Sequence, residues 1–288
     1  MILKPSAFSR GFFVLYCKKS SDMKKLIQLC IIAVILSACS SDKRENTGNF
    51  KWDFSTEGKE YTYSYKQTVV TSNSYDQEEI KSPRGDLKMK GEGKFFVGVK
   101  KHNMADFVLT DLLLTSESDG KEQSMGGTEM KFRYVSDNGI IDDKDQEILL
   151  YSMFPLPQDS IGIGEKSTIK CHIPIRLQNE VIYSEGEIIL TLEKFEVIDG
   201  HKCAVFSSKL EIKEEGKNTA EDAKYKVHTV GSGMHKFDME RKCYVETIAD
   251  LDMNFSFSDS IDEESDSKSS TNISSKNHFD IKLIDINN

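Results

Sequence analysis

Apolar and polar residues alternate with a period of two along most of the chain beyond residue 59. Tyr61, Tyr63 and Tyr65 alternate with polar residues in the first such segment, which is typical of a β-strand with one buried face. The same pattern predicts strands over residues 60–71, 88–100, 107–116, 129–135, 165–177, 181–195, 202–213, 224–237, 243–257 and 279–286. Asp199-Gly200 indicates a hairpin turn. We therefore expect a mainly β fold of antiparallel sheets, half-barrel or sandwich-like.

One segment, residues 143–154, breaks this alternation. Ile148, Leu149, Ser152 and Met153 recur there at helical spacing. Prolines at positions 155 and 157 follow, and proline cannot continue a helix. The pattern predicts one helix of about three turns, capped at its start by the aspartate at 142 or 143.

Two short glycine motifs suggest that the body is duplicated. Residues 91–93 (Gly-Glu-Gly) and 231–233 (Gly-Ser-Gly) each lie between two predicted strands. Neither motif opens a helix, so we interpret both as a bulge or a close strand crossing, not as a phosphate-binding loop. We expect a first β half over residues 50–141, a helix and proline linker over 142–157, and a second β half over 158–288.

A polar stretch interrupts the second half. Residues 258–276 are rich in Ser, Asp and Glu and nearly free of apolar side chains. Such a composition is too polar to pack against a core, so the sequence predicts a mobile polar loop there.

The start of the chain has the layout of an export signal. Lys24 and Lys25 precede residues 26–38, a run of 13 residues in which only Gln28 and Ser37 are polar. A membrane-spanning helix needs about 20 apolar residues, so this run is short for an anchor. We interpret residues 1–38 as a signal peptide, with translation starting at Met23 and residues 1–22 left untranslated.

The end of that signal resembles the bacterial lipobox. Leu36-Ser37-Ala38-Cys39 has small residues directly before a cysteine. The resemblance implies cleavage between Ala38 and Cys39, a lipid anchor on Cys39, and a lipidated tether over residues 39–49. Ser40 at the next position resembles the Gram-negative signal for the outer membrane, facing the periplasm or the cell surface. The alternative is an ordinary signal peptide that ends by chance in a cysteine.

The charge of the chain excludes one class of partner. It carries 38 Lys and Arg against 47 Asp and Glu, a net charge of −9. Residues 1–38 hold six of those bases and one of those acids, which leaves 32 against 46, or −14, after cleavage. Such an excess repels phosphate backbones, so we expect no nucleic-acid partner.

Three cysteines remain in the body of the chain, at positions 171, 203 and 243. Either Cys203 and Cys243 form a disulfide or all three are buried thiols that pack as small apolar groups. None belongs to a Cys-x-x-Cys pair, and no two histidines have metal-binding spacing on a helix, so we expect no metal site.

Two Asp-Ser-Ile tripeptides resemble an O-glycan acceptor motif of some Gram-negative anaerobes. They place Ser160 and Ser260 at the acceptor position. The resemblance implies glycosylation of both serines after export.

Taken together, the motifs resemble those of a group of uncharacterised Gram-negative envelope lipoproteins. One shared feature is the lipobox. The others, within residues 50–257, are the segment 154–157 (Phe-Pro-Leu-Pro) before 161–165 (Ile-Gly-Ile-Gly-Glu), and the second glycine motif before Phe237-Asp238. The resemblance implies an envelope lipoprotein with a duplicated β body and no known activity.

No catalytic motif is recognisable in the sequence. It contains no Gly-x-Ser-x-Gly elbow and no local triad, so we expect a binding or structural module without enzymatic activity or cofactor. Its partners would be the membrane, through Cys39, and an unknown envelope protein or apolar ligand. One alternative is a carrier that holds an acyl chain in a curved sheet, which requires inward strand faces that are left unfilled. A hydrolase assembled from distant residues is a third hypothesis.

Overall fold

The computed structural model describes residues 47–77, 80–118, 121–176, 181–218, 223–259 and 269–287. The signal peptide, Ala38, Cys39 and Ser260 lie outside these ranges. Residues from Thr47 onward belong to one compact unit. The fold is mainly β, as predicted: ten antiparallel strands form one curled, half-barrel sheet, and two short strands form a second sheet.

The elements are numbered in chain order. They are β1 Thr47–Gly48, β2 Glu60–Gln77, β3 Ile80–Lys101, β4 Met104–Ser118, β5 Lys121–Ser136, α1 Glu147–Met153, β6 Ile161–Gly162, β7 Lys166–Arg176, β8 Val181–Ile198, β9 His201–Asn218, β10 Ala223–Asp238, β11 Cys243–Asp259 and β12 Ser269–Asn287. The described helix α1 is too short to cross a membrane.

The large sheet has the strand order β5-β4-β3-β2-β12-β11-β10-β9-β8-β7. Neighbours in sequence pair as antiparallel hairpins, and β12 returns to pair with β2. The predicted halves therefore share one continuous sheet within one compact unit and do not form separate domains. Duplication of the chain stays a prediction.

All ten predicted strands are present, and most of them are longer than predicted. Asp199 and Gly200 have positive φ values of 50° and 85°, as a two-residue turn of this kind requires. The predicted loop at 258–276 is wrong in part, because β11 continues to Asp259 and β12 begins at Ser269. Backbone pairing between these strands does not depend on apolar side chains, which is why composition misled the prediction. Residues 260–268 lie outside the described ranges.

The predicted tether is also too long. Thr47 pairs with Gly162 and Gly48 pairs with Ile161, so residues 47 and 48 already belong to the folded body.

The helix is shorter than predicted and starts later. Its first residue is Glu147, and Gln146 at the N-cap makes no side-chain cap. The carboxylate of Asp143 instead accepts a hydrogen bond from the backbone N–H of Asp145 in the preceding turn, at 3.1 Å. The helix buries Ile148, Leu150, Tyr151 and Met153, which lie on more than one side of it. The helical spacing predicted for Ile148, Leu149, Ser152 and Met153 is therefore wrong in part, because the helix packs inside the sheet and also buries Leu150 and Tyr151.

One face of the sheet, the inner face, holds the core. Tyr61, Tyr63 and Tyr65 are fully buried on it. Against them lies a plug, which we define as the segment 50–54, helix α1 and residues 154–156. The ring of Trp52 lies within 6.5 Å of six other aromatic rings, those of Phe54, Tyr61, Phe107, Phe154, Phe237 and Tyr244. The plug therefore fills the curled sheet at its base, the end that carries the turns at 102–103 and 199–200.

Candidate functional site

The strands extend well beyond the plug. Tyr65 contacts the rings of Phe95 and Phe279 in the core, and β2 continues from there to Gln77. At about 3.3 Å per residue those twelve residues span about 40 Å. In this part of the sheet the strand register aligns the inner side chains in rows. The plug covers these rows less completely than it covers the inner side chains at the base.

Five apolar side chains on the inner face are only half-buried in this region. We call them the upper inner wall: Val69, Met253, Phe255, Phe257 and Ile273. Phe255 is paired with Ile273 across β11 and β12. A separate buried cluster borders the wall on one side, and Phe255 and Phe257 pack against it; its members are Ile175, Tyr225 and Val227. The wall is thus an apolar surface that the described residues cover only partly.

A chain of hydrogen bonds separates the wall from the plug. The Tyr65 hydroxyl donates to Gln67 Oε1 at 3.0 Å, and Gln67 Nε2 donates to Asn277 Oδ1 at 3.2 Å. Asn277 Nδ2 in turn donates to the carbonyl oxygen of Leu251 at 3.3 Å. Gln67 is held by two partners and Asn277 by three, because Asn277 Nδ2 also donates to Ser275 Oγ at 3.2 Å. These hydrogen bonds hold both amides in place at the lower end of the wall, where Asn277 is the cross-strand partner of Val69.

A carboxylate lies on the inner face on the other side of the wall. Glu214 pairs with Val227, which pairs with Phe255, so the three share one row. The Tyr225 hydroxyl donates to Glu214 Oε1 at 3.1 Å. Gly216 stands opposite Tyr225, where a Cβ atom would lie 2.3 Å from the tyrosine hydroxyl oxygen. The absence of a side chain at Gly216 therefore leaves space for the Tyr225 ring, whose hydroxyl binds the Glu214 carboxylate.

Besides the Tyr63 hydroxyl in the core, two hydroxyl groups of the described residues on the inner face are buried without a hydrogen-bond partner. They are Thr229 Oγ1 and Ser184 Oγ, both on fully buried residues. Thr229 is the cross-strand neighbour of Met253 in the wall. Most buried hydroxyls in proteins are hydrogen-bonded, so an unpartnered one marks a place where a polar ligand atom would be stabilising.

A buried Ser–His pair lies on the inner face of the sheet, where it is covered by the plug. His235 Nε2 is 2.9 Å from Ser208 Oγ, and His235 Nδ1 is 3.3 Å from Thr247 Oγ1. Burial lowers the pKa of His235 to about 3, although a backbone hydrogen bond with Met153 acts in the opposite direction. Gly233 provides the space, because a Cβ there would lie 2.6 Å from His235 Nε2.

This pair is not arranged as a hydrolase site. Ser208 is only 8% exposed, and the group on the far side of the imidazole is the hydroxyl of Thr247, not a carboxylate. A histidine with so low a pKa is a weak general base near neutral pH. The pair instead explains the second glycine motif as a packing requirement.

The first glycine motif has a different cause. The register between β3 and β4 shifts between Glu92 and Lys94, that is, at Gly93. A Cβ on Gly93 would lie 2.8 Å from the carbonyl oxygen of Thr110. The predicted bulge or close crossing is therefore confirmed at this motif.

The structure corrects the predicted disulfide. Cys203 and Cys243 are both cross-strand partners of Asp238, one on each side of it, so their backbones are two strand spacings apart. That is about 10 Å, whereas disulfides need Cα atoms within about 7 Å. Both residues, like Cys171, are buried free thiols. Burial raises the pKa of Cys203 to about 11 and that of Cys243 to about 12.

Of the two predicted acceptor serines, one lies within the described ranges. Ser160 is exposed just before β6. His228 is exposed, whereas His235 is buried on the opposite face of β10. Within the described ranges no three His, Cys, Asp or Glu residues form a group that could hold a metal ion.

Sequence reasoning missed the residues that surround the wall. Glu214, Tyr225 and Asn277 lie within or beside predicted strands, but alternation alone does not show which strands become neighbours. The available signal was the placement of Glu214 and Tyr225 in phase with the apolar positions of β9 and β10.

No protein-family model and no curated protein matches the chain. Among solved structures, it is similar to lipovitellin, in a structure of lipid–protein interactions, with a TM-score of 0.41 and 13% identity over 81% of this chain. The match spans about a quarter of that protein, 26% of its chain. A second is the InvG secretin domain β-barrel of the Salmonella SPI-1 injectisome, with a TM-score of 0.19 and 8% identity over 90% of this chain and 68% of that one.

Proposed function

We propose that this protein is a lipid-anchored lipoprotein of the Gram-negative envelope whose curled sheet is a non-enzymatic binding module. The observation that carries the binding role is the upper inner wall, where large apolar side chains such as Phe255 and Phe257 stay half-buried inside a folded body. Partly covered apolar surface bordered by a few fixed polar groups is typical of binding sites.

The envelope location is supported by the sequence. A basic stretch, an apolar run and a lipobox that ends at Cys39 occur in the order that export and lipidation require. Several acyl chains on one cysteine would hold the protein on a bilayer, because each buried methylene adds about 0.8 kcal/mol. The bound partner would be an envelope protein or an apolar ligand.

A carrier of an apolar ligand is the second candidate. The base of the sheet does not favour it, because the plug leaves Tyr63 and Phe107 fully buried there. Beyond the plug, the half-buried side chains of the wall are the observation that supports a carrier. A carrier site would therefore be limited to the upper inner wall.

Fatty-acid labelling in the native cell tests the anchor. We expect labelled palmitate on the wild-type protein and its loss in Cys39→Ala. The matched control is Cys30→Ala, which removes a cysteine from the apolar run and should keep the label. Label retained in Cys39→Ala, or none on the wild type, would contradict the anchor.

Native mass spectrometry of the protein released from its envelope tests the carrier. A co-purified ligand that is lost in Phe255→Asp and kept in Ile248→Asp supports it. Ile248 lies on the same strand but is 39% exposed on the outer face. An adduct-free wild-type mass would contradict a carrier.

A further inference from the structure

We infer that the upper inner wall takes a single-chain amphiphile whose polar end is uncharged or cationic, lying beside Glu214. This inference rests on the proposed binding function and specifies its ligand. It follows from the position of one carboxylate relative to the apolar surface.

The apolar surface and the carboxylate belong to one continuous part of the inner face. Glu214, Val227, Phe255 and Ile273 follow one another across β9, β10, β11 and β12 in the same row. Neighbouring strands are about 4.8 Å apart, so Glu214 and Phe255 are about 10 Å apart. A ligand that covers Phe255 and Ile273 with its chain therefore reaches Glu214 with its end.

The side chains around that end favour a hydrogen-bond donor. The Glu214 carboxylate accepts one hydrogen bond from Tyr225, and a carboxylate has capacity for more. The unpartnered hydroxyl of Thr229 lies in the adjacent row, two residues along β10 from Val227. A hydroxyl or ammonium group beside Glu214 would donate a hydrogen bond to its carboxylate.

An anionic end would be disfavoured at the same place. Lys213, next to Glu214 in sequence, and Lys226, next to its cross-strand partner Val227, are exposed at alternate positions of β9 and β10. Lys213 pairs with Glu211, and Lys226 pairs with Glu215 at 3.0 Å. These two lysines therefore lie on the outer face, and neither stands beside Glu214 on the inner face. A carboxylate or phosphate there would meet the Glu214 carboxylate, and like charges at short range repel strongly in a partly desolvated site.

Titration with three ligands of equal chain length tests this chemistry. The full chain carrying Cys39→Ala is titrated calorimetrically at pH 7.5 with dodecylamine, 1-monolauroylglycerol and laurate, each below its micelle concentration. We expect one site for the first two ligands, and laurate binding weaker than dodecylamine by about tenfold or more. Glu214→Gln should bring dodecylamine and laurate to within about threefold of each other while binding of the neutral ligand persists.

Substitutions in the wall separate this result from nonspecific binding. Phe255→Asp and the milder Ile273→Ser should both weaken all three ligands, whereas Ile248→Asp on the outer face should not. Thermal melting of each variant identifies one that fails to fold, and Ile273→Ser keeps the test decisive if Phe255→Asp does.

The outcomes distinguish this inference from the proposed function. Laurate that binds as tightly as dodecylamine, with no change in Glu214→Gln, overturns the inference and leaves a binding module in place. If none of the three ligands binds but a photocrosslinker at position 255 captures a protein in the native cell, the inference is overturned and a binding module remains. If no ligand binds and no protein is captured, the proposed function itself fails.

Discussion

His235 Nε2 lies 2.9 Å from the hydroxyl oxygen of Ser208, across two neighbouring strands under the plug. The contact exists because position 233, between the two side chains, is glycine. Both side chains are buried, so their hydrogen bonds cannot be replaced by water without opening the core.

Gly233→Ala should destabilise the fold. The new Cβ would lie 2.6 Å from His235 Nε2 and 2.9 Å from Ser208 Oγ, so the pair must move or separate. We expect a loss of about 2 kcal/mol in the free energy of unfolding, measured by chemical denaturation. The matched control is Gly98→Ala, where the nearest atom to a Cβ is the Lys100 Nζ at 3.9 Å. Equal stability of the two variants would contradict this account of the motif.

The buried imidazole should make the fold sensitive to acid. The pKa of His235 is about 3 in the folded state, against about 6.5 in an unfolded chain. Between these values the unfolded state binds more protons, so stability rises with pH and is lost as pH falls from about 6.5 towards 3. The contribution of this group has a slope of about 1.4 kcal/mol per pH unit.

His235→Gln isolates that contribution. The difference in unfolding free energy between wild type and variant, measured from pH 7 to pH 4, should shrink or reverse as the pH falls. A difference that is constant over this range would show that His235 is not held neutral in the fold.

The three body cysteines should all react as thiols once the protein is unfolded. Their burial and raised pKa values protect them in the native state. Under non-reducing conditions we expect slow alkylation of the native protein and rapid alkylation of Cys171, Cys203 and Cys243 in denaturant, counted by mass spectrometry. Only one reactive body cysteine in denaturant would indicate that Cys203 and Cys243 are bridged after all.

Glycosylation of the two Asp-Ser-Ile motifs stays a prediction. Ser160 is exposed and so is accessible to a modifying enzyme. We expect the intact mass of the protein from its native envelope to fall by one increment in Ser160→Ala and by another in Ser260→Ala. An unmodified wild-type mass would contradict the prediction.

Much of the fold could be predicted because alternation reports directly on strands with one buried face. Tyr61, Tyr63 and Tyr65 identified β2 and its inner face, and Asp199-Gly200 identified the β8–β9 turn. The pairing of β12 with β2 could not be predicted, since the residues it joins are about 200 positions apart and no local pattern reports on them. The one-sheet arrangement follows from that pairing.

The site was harder to predict for the same reason. Glu214 belongs to the site only because Val227 and Phe255 are its neighbours across the sheet, and those two residues come from two other strands. The helix was misplaced because the carboxylate of Asp143 closes a turn where the sequence predicts a cap. Local propensity identified the segment, and packing inside the sheet determined which of its side chains are buried.

Photocrosslinking in the native cell tests the central claim, that the upper inner wall is a binding surface, most directly. A photoreactive phenylalanine analogue is placed at position 255 in the wall, and at position 248 on the outer face of the same strand as the control. We predict a ligand or protein adduct at position 255 that is absent or much weaker at position 248. A folded protein without an adduct at position 255, or with equal adducts at both positions, would contradict the claim.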